Sequence, residues 1–190
     1  MERRQIQSEF RATEKDGKKT IEGKFIVFNS KTELWPQFYE EIAPEAINDI
    51  SNVTALWNHN MDIVLGNTKN RTLSLDKRPD GLYGIIDINE EDTEAVNAHA
   101  RVKRGDVPGC SFGFMPTKQQ FEDFPDGTTT VRVLELELYE VSPCVFPAYP
   151  QTAVSARSIY KDMLKERNKT RANAALEKIR SLKNVKTDDK

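Results

Sequence analysis

The sequence predicts a mainly β fold of the α+β class: a closed or nearly closed β-barrel with helices outside, followed by a helical tail. Two observations predict the barrel. Several β-prone segments are joined by tight turns built on Asp-Gly pairs, and few helical stretches interrupt them. A third observation predicts the tail, because charge and hydrophobic period both change near residue 155.

Gln5 to Thr13 and Lys19 to Phe28 are β-prone and flank Lys15-Asp16-Gly17-Lys18, a hairpin turn signal. Val53 to Trp57 is a short β-prone stretch. Thr72 to Asp76 and Leu82 to Ile88 flank Arg78-Pro79-Asp80-Gly81, a second hairpin signal. Pro125-Asp126-Gly127 precedes Thr128 to Val141, the longest strand candidate. Pro44 to Ile50 reads as a short helix. Glu91 to Arg104 reads as a longer one, acidic early, basic late and closed by Gly105, the order the helix dipole favours.

The chain of 190 residues allows one domain with a real core, assigned to 1–155, and an appendage, 156–190. From Ser155 onward, eleven Lys and Arg face five Asp and Glu, a balance of +6. The remainder must then carry −8 of the overall −2. In the tail, Ile159, Met163, Leu164, Ala172, Ala175, Leu176 and Ile179 recur at helical spacing, and Lys186 to Lys190 reads as a frayed end. Such a basic segment fits a solvated helix, although an acidic protein surface or nucleic acid would also complement it.

No apolar run is long enough to span a membrane, and no apolar stretch behind Met1-Glu2-Arg3-Arg4-Gln5 marks a secretory signal. Cys110 and Cys144 give neither a disulfide framework nor metal-ligand spacing, so a reducing, intracellular setting is expected. The two histidines, His59 and His99, lack the spacing of a zinc hydrolase motif, and no metal or cofactor is expected.

Gly109-Cys110-Ser111-Phe112-Gly113 matches the G-x-S-x-G nucleophile elbow. An α/β-hydrolase triad, however, runs Ser, acid, His, and here both histidines precede Ser111. That fold is excluded. A serine nucleophile still needs a base. His59, in Trp57-Asn58-His59-Asn60, lies at a strand end among hydrogen-bonding neighbours. His99 lies mid-helix and reads as an ordinary surface histidine.

Strand alternation suggests the third member. Leu134, Leu136 and Leu138 mark a core face that continues through Glu140 and Ser142. Val131, Val133, Glu135, Glu137, Tyr139 and Val141 take the other. A carboxylate on a core face costs several kcal/mol without a partner, and a histidine or Arg132 could supply one. Cys110 is a rival nucleophile. Alternation gives it the face of Phe112 and Phe114, whereas Ser111 shares its face with Gly113.

Six segments together resemble the HK97-type prohead serine proteases of tailed phages, over about residues 5 to 155. They are Leu56-Trp57-Asn58-His59-Asn60 with Val64-Leu65-Gly66, Asp80-Gly81-Leu82-Tyr83, Cys110-Ser111-Phe112-Gly113-Phe114, Leu138-Tyr139-Glu140-Val141-Ser142, and Phe146-Pro147-Ala148-Tyr149-Pro150. The resemblance implies a herpesvirus-assemblin-like barrel surrounded by helices, with His59, Ser111 and Glu140 as triad. The herpesvirus relatives use a second histidine as third member, and no histidine follows Ser111 here. It implies a serine endopeptidase that cleaves the scaffold segment of the major capsid protein, and itself, inside the immature procapsid in the host cytoplasm. Self-association as a dimer is also implied. Membrane and nucleic acid are not among the expected partners. The alternative is a non-catalytic assembly module that binds capsid or scaffold.

Overall fold

Short turns and period-two alternation build two sheets in the computed structural model, which describes residues 2–7, 10–15, 17–145 and 150–185. The strands are β1 (Glu2–Gln7), β2 (Arg11–Lys15), β3 (Lys18–Val27), β4 (Thr32–Trp35), β5 (Phe38–Ile42), β6 (Thr54–Trp57), β7 (Asn60–Asn67), β8 (Leu73–Arg78), β9 (Gly81–Asp87), β10 (Gly109–Asp123) and β11 (Thr129–Cys144). The helices are α1 (Thr93–Arg104) and α2 (Pro150–Val185). The mainly β expectation holds, and the larger sheet curls as a half-barrel. Its order is β1-β10-β11-β5-β4, with β6 on β11 and β7 on β6. The smaller sheet runs β2-β3-β9-β8.

β11 is the spine of the larger sheet. β10 pairs with it antiparallel along almost its whole length. On its other side the chain from residue 38 to 57 runs parallel to it. β5 pairs with Thr129 to Val133, Ile47 bridges to Leu136, and β6 pairs with Glu140 and Val141. The segment Pro44 to Ile50, expected as a helix, holds a single 3-10 turn at Pro44–Ala46. The bridge from Ile47 to the spine ends it there.

Arg78 pairs with Gly81 across a two-residue loop, as the Pro79-Asp80-Gly81 signal predicts. Glycine is required at 81 because a Cβ there would lie 2.2 Å from the Ile26 carbonyl oxygen. The segment from Gln5 to Thr13, expected as one strand, is two: β1 joins the larger sheet and β2 the smaller. Asp16 of the first expected turn lies outside the described residues.

Asp92 caps α1, its Oδ1 accepting from the backbone N–H groups of Glu94 and Ala95, and Gly105 closes it in the left-handed region at φ 87°. His99 on this helix is buried, not on the surface as expected. Strand β2 covers that face of the helix, and His99 Nε2 lies 3.0 Å from the Thr13 carbonyl oxygen. Local periodicity shows which face is polar but not that a strand edge covers it.

Burial alternates along β11 from Glu135 to Glu140, with Leu136, Leu138 and Glu140 buried and Glu135, Glu137 and Tyr139 exposed. The ladder skips Tyr139, however, so Glu140 and Ser142 stand with Gly113 and Ser111 on the face opposite Leu138 instead of continuing the leucine row as expected. The alternation fails before Glu135. Val131 and Val133 are fully buried, because the ladder to β10 shifts register around Leu134 and turns the earlier part of the strand over.

Contacts divide the chain into Met1–Ala153 and Val154–Lys190. In the second unit α2 continues without a break to Val185, with Met163, Leu176 and Ile179 exposed. Lys186 to Lys190 lies outside the described residues.

Candidate active site

Trp57 pairs with Asn60, so Asn58 and His59 form a two-residue hairpin loop. Their φ values are 51° and 61°, both left-handed, the signature of a type I′ turn. Asparagine and histidine tolerate this region better than most side chains. Three bonds pin the turn to the end of β11. Asn58 N–H donates to the Pro143 carbonyl at 3.1 Å, Val145 N–H donates to Asn58 Oδ1 at 3.1 Å, and His59 N–H donates to Ser142 Oγ at 3.3 Å.

That anchorage brings His59 onto Glu140. Its Nδ1 lies 2.7 Å from Glu140 Oε1. The other carboxylate oxygen, Oε2, accepts from Ser142 Oγ at 2.5 Å. Glu140 is 3% exposed, and these two partners offset the cost of burying its charge. Arg132, the other candidate partner, pairs instead with Glu41 and Asn29. A carboxylate on Nδ1 holds the proton there and leaves Nε2 with its lone pair, the form a general base needs.

Ser111 stands directly opposite Ser142 in the β10–β11 ladder, and Gly113 stands opposite Glu140. Paired residues of an antiparallel ladder project to the same side. Ser111, Ser142, Glu140 and the imidazole of His59 therefore share one face. Gly113 adds no side chain there. Ser111 is 3% exposed, and its Oγ donates to the Arg4 carbonyl of β1 at 2.8 Å. The structure thus joins His59 to Glu140 directly and sets Ser111 beside them, with its hydroxyl engaged by β1.

Cys110 points the other way. Its thiol donates to the carbonyls of Phe25 at 3.0 Å and Lys24 at 3.4 Å, and burial pushes its pKa well above the ordinary value. It stays protonated and faces away from His59, so the Cys-His alternative has no geometry. Burial, reinforced by the nearby Glu140 charge, also pushes Cys144 up to about 12.

Two further groups were not assigned roles from the sequence. Ser142 stands two residues beyond Glu140 on the same face of β11, and its hydroxyl links that carboxylate to the His59 backbone. Glu40 occupies the inward row of β5 between Phe38 and Ile42, and its carboxylate holds the Arg4 guanidinium in a two-bond pair. Along β5 burial alternates from Phe38 through Glu40 to Ile42, a period-two row that contains the acid.

A cleft of about 600 Å³ lies elsewhere, lined by residues of β2, β3, β8 and β9 including Arg11, Lys24, Asp76 and Tyr83. None of these strands carries His59, Ser111 or Glu140, so the chemistry is assigned to the residues at the β10–β11 ladder and not to this cleft. Among the described residues no group of three or more His, Cys, Asp or Glu is placed to hold a metal ion. Residues 146–149, most of the segment Phe146-Pro147-Ala148-Tyr149-Pro150, lie outside the described residues.

No curated protein and no solved structure matches the chain. The family of caudovirus prohead serine proteases matches residues 7–180, and the chain belongs to that family of phage capsid-maturation hydrolases.

Proposed function

We propose that Ser111, His59 and Glu140 form the triad of this serine protease, cleaving the scaffold segment of the major capsid protein, and its own chain, inside the immature procapsid. The observation that carries this reading is the 2.7 Å contact of His59 Nδ1 with the buried Glu140 carboxylate, on the ladder face of Ser111. His59 Nε2 takes the Ser111 proton as Oγ adds to the peptide carbonyl carbon. It then returns that proton to the departing amine, leaving an acyl-enzyme. Water, deprotonated by the same nitrogen, hydrolyses the ester and restores Ser111. Glu140 remains ionised and stabilises the imidazolium that forms in each step.

The protease domain is assigned to 1–155 and the basic tail to 156–190, with a dimer as the working assembly. Enclosure within the procapsid suits such an enzyme, because its substrate is then present at very high local concentration.

The test is co-expression of the capsid protein with the Ser111→Ala variant, followed by mass spectrometry. Scaffold-bearing capsid protein should remain whole while the variant folds as the parent does. Undiminished processing would overturn the assignment. A fluorophosphonate probe should label the parent and not the variant. If the parent fails to react, the non-catalytic assembly module becomes the better reading.

A further inference from the structure

A serine nucleophile attacks a carbonyl carbon, so the carbonyl touching its hydroxyl marks where an acyl group would sit. In this chain that carbonyl belongs to Arg4, 2.8 Å from Ser111 Oγ. Strand β1 runs antiparallel to β10 in unbroken register, from Glu2 opposite Phe114 to Gln7 opposite Gly109. A peptide adding to a sheet edge takes this form. The other side of β10 is occupied by β11, so β1 covers the edge that a substrate strand would need.

The side chain of Arg4 is as informative as its backbone. Arg4 pairs with Phe112, and its guanidinium lies 5.4 Å from the centre of the Phe114 ring. Nε and Nη2 donate to the two oxygens of Glu40, the latter at 2.7 Å. Glu40 is 2% exposed. A carboxylate buried this deeply needs a cation, and its two-oxygen edge fits the guanidinium fork. An acid behind an aromatic ring thus receives a basic side chain whose own carbonyl touches the nucleophile.

We infer that β1 fills the acyl half of the peptide groove, with Arg4 in the place of the residue before the cleaved bond. Glu40 is then the specificity-determining carboxylate, selecting Arg or Lys at that position of the substrate. The inference rests on Ser111 being the nucleophile. A substrate must displace β1, which competes as a tethered segment at an effective concentration of about millimolar. Cleavage is therefore slow on dilute peptides and fast on crowded ones.

The experiment measures kcat/KM for peptides that differ only in the residue before the cut, Arg, Lys or Leu, with fluorophosphonate labelling of Ser111 in parallel. The parent should favour Arg and Lys. In Glu40→Gln the preference should fall about 30-fold or more, as expected when one partner of a buried charge pair is removed. Leu peptides should be cleaved at least as fast as by the parent, because the same change loosens β1, and Ser111 labelling should persist. A parent profile indifferent to charge overturns the inference without any variant. So does a Glu40→Gln variant slowed equally on all peptides, which would make the Arg4–Glu40 pair a closure of the fold only. Absence of labelling in the parent would instead remove Ser111 as nucleophile, a failure of the underlying assignment.

Discussion

Replacing Glu140 by Gln keeps the shape of the side chain and removes only its charge and one acceptor. The consequence depends on which way the new amide faces. Ser142 Oγ accepts from the His59 N–H at 3.3 Å, so its own proton points to position 140 across the 2.5 Å contact. That proton demands the amide oxygen, which turns the NH₂ group toward His59 Nδ1. Nδ1 must then accept, the imidazole proton moves to Nε2, and the base loses the lone pair it offers Ser111. In a Ser-His-Asp triad the equivalent change lowers kcat about 10⁴-fold through the wrong tautomer. A fall of about 10³ to 10⁴ is expected here, measured as steady-state hydrolysis of a peptide spanning the scaffold junction. Adding Ser142→Ala to Glu140→Gln frees the amide to turn over and should recover part of the loss. Nitrogen NMR of the imidazole should report the tautomer in each variant. A Glu140→Gln enzyme within tenfold of the parent, or a double variant slower than the single, would refute the reasoning.

Asn58→Ala should destabilise the fold by about 2 kcal/mol, from the left-handed φ of 51° and the lost bond to Val145. Asn58→Gly, which keeps the backbone freedom, should cost about half as much, and thermal melts of the two should differ in that order. Cys144 titrates near 12 in the folded chain against an ordinary value of 9.0. A raised pKa contributes stability that is complete below the unfolded value and lost as pH rises through the folded one. Denaturant midpoints should therefore fall between pH 9 and 12, and less steeply in Cys144→Ala. Identical slopes would count against the buried thiol.

In the sequence His59 differs from His99 by its place at a strand end among hydrogen-bonding neighbours, and the hairpin gives that place its physical form. What the sequence did not disclose is that Asn58 and His59 are the two central residues of a type I′ turn, because Asn-His is not one of the usual hairpin pairs. Glu140 is buried as expected but not by continuing the leucine row: the ladder skips Tyr139 between the Phe114–Leu138 and Gly113–Glu140 pairs, which turns the carboxylate to the face of Ser111. Val131 and Val133 were misread because a register shift inside a strand leaves no mark in composition. Glu40 was overlooked for a different reason. Strand β5 has only five residues, too few for alternation to stand out, and two adjacent acids suggest a solvated loop. The split between β1 and β2 was illegible because β2 pairs with its hairpin neighbour β3, whereas the partner of β1, β10, lies far along the chain.

The arrangement of the site follows from one long strand. Glu140 and Ser142 sit on β11, Ser111 is fixed opposite them by the β10 ladder, and the His59 turn is bonded to Ser142, Pro143 and Val145 at the same end. Strand β6 pairs with β11 at Glu140 and Val141, only two residues before the histidine turn begins at its end. Every group in the proposed triad is thus positioned by backbone bonds to a common element, over a few residues. Bending the half-barrel elsewhere leaves their mutual distances almost unchanged. The piece outside this arrangement is β1, whose ladder is with β10 and whose Arg4 side chain also reaches Glu40 of β5. As an edge strand it breaks one ladder on leaving, together with the buried Arg4–Glu40 pair, and it is also the strand whose carbonyl holds the Ser111 hydroxyl. Rigidity in the triad and mobility in the strand covering it are therefore compatible within a single sheet.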